Sequence, residues 1–312
     1  MSPEVREAEL MADLSGHVAH AKANAPFYAD RFKDVDPDAI VNRAALAELP
    51  VTYKSDLVEA QAAHPPFGGL NATPPGAMAH LFRSPGPICE PQGDVHDFWR
   101  GARALHAAGV RAGDICHNSF SYHLTPGAWL LDSAARALGA AVFHGGVGNT
   151  DLQVEAMAHF KANVFCGTPD FLKILLERGR EMGADLGSLK KAVVGGGALP
   201  PSLRKLISDE FGFTPLQNYG TADLGVIAYE SPAMDGMLLS EGAVVEIVRP
   251  GSGEPVPDGE VGEVVVTIFS KDYPLTRFAT GDLSAMLPGV SPCGRTAPRI
   301  KGWMGRADQT AK

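Results

Sequence analysis

Between residues 66 and 230 the chain alternates short apolar runs with longer segments whose apolar residues recur at helical spacing. The apolar runs are typical of buried strands and lie at Asp114–Phe120, Ala140–His144, Val164–Cys166 and Ala192–Val194. Amphipathic helices are predicted between them, at Pro126–Gly139, after Thr150, after Thr168 and around Leu203, Leu206 and Ile207. This alternation predicts a largely parallel sheet covered by helices on both faces. Such sheets bind ligands beyond the carboxyl ends of their strands.

The regions on either side have different patterns. Residues 1–65 read as helices punctuated by prolines. Residues 231–305 contain alternating Val and Ile runs separated by turn residues, which favours a small antiparallel β subdomain. The fold class predicted is therefore α/β, with layered, mostly parallel sheets, flanking helices and a small antiparallel subdomain. The domains expected are a helical segment (1–65), an α/β core (66–230), a β-rich subdomain (231–305) and a final segment (306–312).

Composition narrows the class of protein. The chain is 45% hydrophobic and 20% charged, with a formal net charge of −9, and it has no basic run of the kind that nucleic-acid binders use. The polar N-terminus and the absence of a long apolar run predict a cytoplasmic protein without a membrane partner. The four cysteines form no CxxC pair and are interpreted as reduced structural thiols.

One helix start carries a recognisable sequence pattern. Thr150-Asp151-Leu152-Gln153 follows a glycine-rich turn and matches a capping box, in which the Thr150 hydroxyl and the Gln153 amide satisfy free backbone groups. Leu152, Ala156 and Phe160 then recur at helical spacing.

A first candidate for chemistry is the glycine-rich run Val193–Pro200, which leads from a strand into a helix. Glycines there permit a nucleotide to approach the backbone, and a helix start favours negative charge. A tight strand-to-helix turn without a ligand is an equal alternative.

A second candidate is Gln217–Asp223, at the end of a predicted strand. Tyr219 could stack on a flat ring and Asn218 could hydrogen-bond the edge of that ring. Thr221 or Asp223 could hold Mg²⁺, which prefers oxygen ligands beside phosphate. The alternative is a polar loop in which Asp223 caps a helix.

A third candidate combines Arg277–Asp282 with Gly305–Asp308. A carboxylate accepts both hydroxyls of a ribose, and an arginine can bind ribose or phosphate. The alternative is a turn aspartate and a surface arginine.

The order and spacing of these segments resemble the adenylate-forming superfamily, and its phenylacetate–CoA ligase branch in particular. Shared landmarks run from Pro26 to the end of the chain, namely Leu49–Thr52 with Lys54, Gly148–Thr150 with Gln153, Gly167–Pro169, Gly195–Pro200, Tyr219–Asp223, Thr280–Asp282, Cys293–Thr296 and Gly305–Asp308. The Cys-Gly-Arg-Thr tetrad points to the phenylacetate branch.

The resemblance implies an enzyme that uses ATP, Mg²⁺ and coenzyme A to activate a small carboxylic acid through an acyl-adenylate. It also implies roles for individual residues. Those expected to bind the nucleotide are Ser84, Gly86, Gly195, Gly196, Gly197, Asn218, Tyr219, Asp282 and Arg306. Thr221 and Asp223 would be catalytic, with Asp223 at the metal, and Tyr122, His123 and Gly220 would border the acid. A homodimer is common among such relatives.

Several departures from the family pattern lead to a second hypothesis. The phosphate loop expected at Ser84–Pro91 has Pro87 and Ile88 in place of hydroxyl residues, and Glu90 adds a negative charge. Ala222, Asp223 and Gly197 also differ from the usual residues. The resemblance further implies that a small C-terminal domain would follow this chain in complete relatives, so weak turnover is expected. A non-catalytic binder of nucleotide or acyl-adenylate is therefore the alternative function.

The histidines carry no catalytic prediction. His123 either lines the acid pocket or is satisfied by the local backbone. His117 and His144 are interpreted as structural.

Overall fold

The computed structural model describes residues 1–309, so the last three residues of the predicted 306–312 segment lie outside the described part. The α-helices are α1 (Pro3–Ala12), α2 (Leu14–Asn24), α3 (Pro26–Arg31), α4 (Arg43–Ala47), α5 (Lys54–Ala63), α6 (Ala102–Ala107), α7 (Gly127–Ala137), α8 (Thr150–Phe160), α9 (Pro169–Met182) and α10 (Pro201–Phe211). The strands are β1 (His80–Ser84), β2 (Ile88–Gln92), β3 (Ile115–Asn118), β4 (Ala141–His144), β5 (Val164–Gly167), β6 (Lys191–Val194), β7 (Leu216–Thr221), β8 (Gly225–Tyr229), β9 (Met237–Leu239), β10 (Ala243–Val248), β11 (Gly262–Ile268), β12 (Phe278–Ser284), β13 (Met286–Leu287) and β14 (Arg299–Ile300). None of the helices described is long and apolar enough to cross a lipid bilayer.

The chain divides into two compact units, which are described separately below. Unit 2 is the continuous segment Val95–Asp235. Unit 1 is formed by Met1–Asp94 together with the chain from Gly236 onward.

Unit 2 is built on a sheet with the strand order β4-β3-β5-β6-β7-β8. Neighbouring strands from β4 to β7 are parallel, and β8 returns antiparallel to β7. Each parallel strand is short, and helices connect β3 to β4, β4 to β5, β5 to β6 and β6 to β7. The predicted α/β fold class, with its mostly parallel sheet, is confirmed.

The core of unit 2 lies between this sheet and helices α8 to α10. Leu172, Leu175 and Leu176 of α9 are buried there, together with Phe165 of β5 and Ile207 of α10. Thr168 caps α9 by accepting a hydrogen bond from the Phe171 amide, and Pro169 occupies the first helical turn. The predicted start and apolar face of this helix are therefore confirmed.

The predicted capping box at the start of α8 is wrong. Asn149 is the N-cap residue, with a positive φ of 48°, and no side chain caps this helix. The Gln153 amide instead donates to the carbonyl oxygens of Gly146 and Gly148, at 3.0 and 2.6 Å. The side-chain oxygen that a capping box needs as an acceptor is also occupied, since Gln153 Oε1 lies 2.7 Å from His117 Nε2.

Unit 1 contains the small antiparallel sheet that the Val and Ile runs predict. Its order is β10-β11-β12, and both pairs are antiparallel. Every residue of β10 and β11 is buried. Because alternate residues of a strand point to opposite faces, both faces of these strands are covered. The N-terminal helices provide part of that cover, since Leu14, Tyr28 and Leu46 pack in one cluster with Val244.

Burial of His17 within unit 1 makes the stability of the fold depend on pH. His17 lies on α2, and its Nε2 is 2.8 Å from the Thr276 hydroxyl. Burial lowers the pKa of His17 to about 3, with a smaller contribution from the nearby His20. Below pH 6.5 the unfolded state binds a proton at this side chain and the folded state does not, so stability falls as the pH falls towards 3.

We expect His17 to cost about 2 kcal/mol of stability at pH 5 relative to pH 7.5, because each pH unit below 6.5 costs about 1.4 kcal/mol. Urea denaturation of wild type and His17→Gln at both pH values measures this difference. The exposed His64 provides a control, since His64→Gln should follow wild type. Equal pH dependence of wild type and His17→Gln would contradict a neutral, buried His17.

Candidate active site

The glycine turn after β6 fits closely against the neighbouring strand. The Gly195 amide donates to the Gly167 carbonyl at 3.1 Å, and Gly195 is buried. A Cβ added at Gly195 would overlap Oδ1 of Asn218. Gly196 has a φ of +67°, whereas a Cβ on Gly197 would meet only Pro169 at 3.5 Å. Glycine is thus required at 195 and 196 by local packing and backbone conformation, and tolerance is expected at 197.

Asn218 carries an unusual polar atom. It lies on β7, and its Oδ1 is buried and has no hydrogen-bond partner among residues 1–309. A buried amide oxygen without a partner is costly, and native proteins seldom retain one without a reason. Its position beside Gly195 places an acceptor without a protein partner at the glycine turn after β6.

The rest of the Gln217–Asp223 segment forms the end of β7 and a tight turn into β8. Tyr219 is largely buried, and Gly220 packs against the backbone of Gly225. The Thr221 hydroxyl accepts a hydrogen bond from the Leu224 amide at 3.2 Å, so it bridges the turn. The segment therefore ends a strand, as the pattern predicted, and the Thr221 hydroxyl is used within the turn.

The fit of this turn to Mg²⁺ depends on which carboxylate and hydroxyl oxygens it exposes. Asp223 is only 2% exposed, so its carboxylate is not presented as an open ligand. Within the part of the chain that the structure describes, no group of three or more His, Cys, Asp or Glu residues could hold a metal ion. Magnesium bound mainly through phosphate oxygens and water needs no such group. The metal role of Thr221 and Asp223 remains a prediction, and no chemical step is derived from it.

Tyr122 and His123 lie in the loop between β3 and α7. The Tyr122 hydroxyl donates to Asp132 Oδ2 at 3.0 Å and accepts from Asn118 Nδ2 at 3.0 Å. Burial and the adjacent Asp132 carboxylate raise the pKa of Tyr122, so it stays protonated. His123 is exposed. Tyr122 is therefore fixed by neighbours that the sequence pattern did not indicate.

Two further histidines lie on neighbouring strands, His117 on β3 and His144 at the end of β4. His117 is buried, and its Nε2 is 2.7 Å from Gln153 Oε1. Burial lowers the pKa of His117. Because Gln153 also donates to carbonyl oxygens of the glycine turn, His117 is linked to that turn through Gln153, and its structural role stays a prediction. His144 is different, since its side chain is 55% exposed while its Nε2 lies 2.7 Å from Asp132 Oδ2.

In unit 1, Asp282 and Arg306 form an ion pair across an isolated β-bridge. Arg306 Nη1 lies 3.1 Å from Asp282 Oδ1, and Trp303 Nε1 donates to the same oxygen at 3.1 Å. A Cβ at Gly281, whose φ is +75°, would come within 2.6 Å of Arg306 Nη2. The structure therefore brings together these two predicted residues, and glycine at 281 permits their approach.

The segment Ser84–Pro91 forms a hairpin. Ser84 pairs with Ile88, and Pro85, Gly86 and Pro87 form the exposed turn, with a φ of +110° at Gly86. The Ser84 hydroxyl oxygen is buried and has no partner within residues 1–309. Glu90 is only 1% exposed, so its carboxylate is not presented at the turn. The carboxylate of Glu90 is therefore not placed to contact a phosphate at the exposed turn directly.

Arg277, an early candidate for gripping ribose or phosphate, has another role. Its guanidinium makes a bidentate pair with Glu246, at 3.1 Å for both contacts. The remaining donors reach the carbonyl oxygens of Ala47, Leu49 and Gly253 at 2.6, 2.5 and 2.7 Å. All five donors of the arginine are thus used inside unit 1, so none is left for a ligand.

The two glycine positions give a matched test of the packing at Asn218. We expect Gly195→Ala to displace the Asn218 side chain and to weaken AMP binding at least 10-fold, because the added methyl occupies the position of Oδ1. Gly197→Ala should bind within about 2-fold of wild type, since space is available there. Isothermal titration with AMP measures both. Equal affinities for the two variants would mean that Asn218 does not contact the nucleotide.

The chain is similar to known proteins in family, in sequence and in structure. The family described as AMP-binding enzyme matches residues 121–268. Phenylacetate-coenzyme A ligase of Thermus thermophilus is 33% identical over 307 residues, covering 93% of this chain and 68% of that protein. The corresponding ligase of Escherichia coli is 32% identical and covers 93% of this chain and 69% of that protein.

Solved structures agree with these matches. A crystal structure of 2-hydroxyisobutyryl-CoA ligase with 2-HIB-AMP and CoA has a TM-score of 0.90 and 27% identity. That match covers 98% of this chain and 71% of the other. The protein is therefore of the AMP-binding, adenylate-forming class. Within that class it belongs to the family of the phenylacetate–coenzyme A ligases, and it spans 68–69% of the length of the relatives named above.

Proposed function

We propose that this chain carries out the ATP-dependent activation of a carboxylic acid through an acyl-adenylate, with transfer to coenzyme A. Family membership supports this reaction, since the relatives are AMP-forming acid–CoA ligases that use ATP, Mg²⁺ and coenzyme A. The observation in the chain itself that carries the proposal is the buried, unpaired Oδ1 of Asn218 beside Gly195.

Asn218 Oδ1 is proposed to recognise the adenine base. The exocyclic amine of adenine is a donor, so it would satisfy Asn218 Oδ1 and remove the cost of an orphaned acceptor. Gly195, Gly196 and Gly197 would let the base approach the backbone, and Tyr219 would border the ring. Ser84 and Gly86 are proposed to contact phosphate from the hairpin turn.

Ribose recognition is proposed for Asp282 and Arg306. An ionised carboxylate accepts hydrogen bonds from neighbouring hydroxyls, and such charge-assisted bonds are stronger than neutral ones. Arg306 holds this carboxylate in position through Oδ1.

The chemistry has two displacements. The carboxylate oxygen of the acid attacks the α-phosphorus of ATP, and pyrophosphate leaves with the electrons of the broken P–O bond. The thiol sulfur then attacks the acyl carbon, AMP leaves and the thiol proton is released. Mg²⁺, when bound, neutralises phosphate charge. The protein contributes mainly by fixing the reacting groups and by providing preorganised polar contacts.

The acid is proposed to be a small aryl or acyl carboxylate, as in the phenylacetate and 2-hydroxyisobutyryl ligases. Tyr122, His123 and Gly220 are proposed to border it. Thr221 and Asp223 remain proposed for catalysis, and the division into segments 1–65, 66–230, 231–305 and 306–312, a cytoplasmic location and a homodimer remain predictions.

One feature favours a second candidate function, a binder without turnover. The exposed turn of the hairpin is Pro85-Gly86-Pro87, and prolines supply no amide donors to a phosphate. In this case the chain binds AMP and acyl-adenylate but releases no pyrophosphate from ATP.

Pyrophosphate release separates the two functions. Wild type and a Pro87→Thr/Ile88→Thr variant are incubated with ATP, Mg²⁺ and a panel of aryl and short acyl acids. If the chain is a ligase, wild type should release pyrophosphate only when an acid is present. Release that appears only in the variant would support the binder. A Val147→Thr variant, changed at an exposed residue of unit 2, is the control.

A further inference from the structure

The carboxyl ends of β3 and β4 hold a hydrogen-bonded group that no sequence motif indicates. Asp132 lies on α7, and its side chain is only 4% exposed. Its Oδ2 accepts the Tyr122 hydroxyl at 3.0 Å and lies 2.7 Å from Nε2 of His144. We name Tyr122, Asp132 and His144 the polar triad.

The triad fixes the chemical state of the His144 ring. Asp132 in its ionised form can only accept hydrogen bonds, so the ring proton of a neutral His144 is held at Nε2. Nδ1 is then an acceptor, and it becomes a donor if the ring is protonated. No protein hydrogen bond to Nδ1 is seen within the described residues, and the ring is more than half exposed. His144 therefore offers a nitrogen that can pair with a hydroxyl group in either direction.

The surroundings of this nitrogen are aromatic. The ring centroids of His144 and Tyr122 are 4.3 Å apart, and Trp129 lies 5.4 Å from Tyr122 and 6.4 Å from His144. Small-molecule pockets are commonly lined by apolar and aromatic side chains with a few oriented polar groups. Nδ1 of His144 is such a polar group, and the rings of Tyr122 and Trp129 are the aromatic side chains beside it.

The position matches a ligand site as well. Asn118 ends β3 and His144 ends β4, and these strands are parallel neighbours in the register Asn118↔His144. Parallel sheets bind ligands beyond these strand ends. Tyr122, which belongs to the triad, is also a residue proposed above to border the acid.

We propose that the polar triad forms a wall of the acid pocket and selects carboxylic acids that carry a hydroxyl group over the unsubstituted acids. His144 would contact the hydroxyl, and Asp132 would be a positioning residue that sets the tautomer and orientation of the ring. This inference rests on the proposed acid activation, and it departs from the earlier interpretation of His144 as structural.

Selectivity has a physical basis here. A site with a polar group meant for a substrate hydroxyl discriminates against an analogue that lacks the hydroxyl, because its own polar group is left without a partner. His144 is partly exposed, so water offsets part of that loss. We therefore expect about a 10-fold preference rather than the much larger ratios of fully buried sites.

The test uses acyl-sulfamoyl adenosines, which mimic the acyl-adenylate and do not require turnover. Phenylacetyl analogues without a hydroxyl and with one at the α, 2, 3 or 4 position are titrated against wild type by calorimetry. The aliphatic pair is the 2-hydroxyisobutyryl and trimethylacetyl analogues. At least one hydroxylated analogue should bind about 10-fold more tightly than its parent.

In His144→Phe that ratio should fall to about 2-fold or less, because the ring shape remains and the nitrogen is lost. His159→Phe replaces an exposed histidine of α8 and should keep the wild-type ratio. Asp132→Asn should also reduce the ratio. Nitrogen NMR of His144 should show the Nε2–H tautomer in wild type and a mixture in Asp132→Asn, while the affinity for AMP stays unchanged, a combination that a merely structural role would not produce.

Two failures can be distinguished. If wild type binds every analogue with the affinity of its parent, or if His144→Phe keeps the ratio, the triad does not select the acid. If neither AMP nor any analogue binds wild type, the proposed acid activation itself is wrong, and the selectivity falls with it.

Discussion

Arg277→Met is expected to lower the free energy of unfolding by about 3–5 kcal/mol, because breaking a buried ion pair leaves an uncompensated charge. Arg277 and Glu246 are only 2% and 5% exposed, so water cannot replace the guanidinium. The substitution would also leave three backbone carbonyls, those of Ala47, Leu49 and Gly253, without their donor. Urea denaturation of wild type and variant measures the loss.

The control for this prediction is an exposed pair in the same unit. Arg249 and Glu254 are 61% and 71% exposed and 3.5 Å apart, so Arg249→Met should leave the unfolding midpoint unchanged within error. Comparable shifts for the two variants would mean that burial of Arg277 adds nothing. A stable Arg277→Met that gained a defect only in nucleotide binding would instead restore the ligand role first considered for this arginine.

Asp282→Asn is expected to weaken AMP binding about 100-fold, equivalent to about 2.7 kcal/mol. The amide keeps the shape of the side chain but loses the charge that strengthens hydrogen bonds to two ribose hydroxyls. It also weakens the pairing with Arg306, which lies 3.1 Å away. Titration with AMP measures the change.

A comparison with 2′-deoxy-AMP and 3′-deoxy-AMP makes this prediction specific to ribose. Each deoxy nucleotide should lose affinity in wild type, and Asp282→Asn should weaken it less than it weakens AMP, because only one of the two hydroxyl contacts remains to be lost. Asp258→Asn, at an exposed turn of the same unit, should bind as wild type does. If the deoxy nucleotides and AMP are weakened equally by Asp282→Asn, the carboxylate does not contact the ribose.

The sequence predicted the regular elements of unit 2 well because its periodicity is strong. The apolar run at Ala192–Val194 became β6, and the leucines after Pro169 became the buried face of α9. These patterns are local, and the hydrophobic effect acts on them in nearly any compact fold. The antiparallel sheet of unit 1 was predicted for the same reason.

Predictions from local sequence pattern were wrong where a side chain bonds to a partner that is distant in sequence. Thr150 and Gln153 match a capping box, yet Gln153 bonds to His117 and to two carbonyls of the glycine turn. The partner on β3 lies 36 residues away in sequence, so no local rule could include it. The helix start is consequently left without a side-chain cap.

The sequence could predict which segments form the site. It could not predict the physical role of each single residue. Gly195 was interpreted as room for a nucleotide, and the structure adds that it is room for Asn218. Arg277 has the same residue type as Arg306, but only the position of Glu246 decides that it is internal. The pairing of Asp132 with His144 joins a helix to the following strand, and their sequence distance carries no signal of it.

Calorimetric titration of this chain with phenylacetyl-sulfamoyl adenosine tests most directly whether it has an adenylate site. We expect saturable binding of one analogue per chain, which Gly195→Ala and Asp282→Asn should weaken and Gly197→Ala and Asp258→Asn should leave unchanged. Absence of binding by the phenylacetyl and 2-hydroxyisobutyryl analogues and by AMP would contradict it, and would mean that this family member keeps the fold without its ligand site.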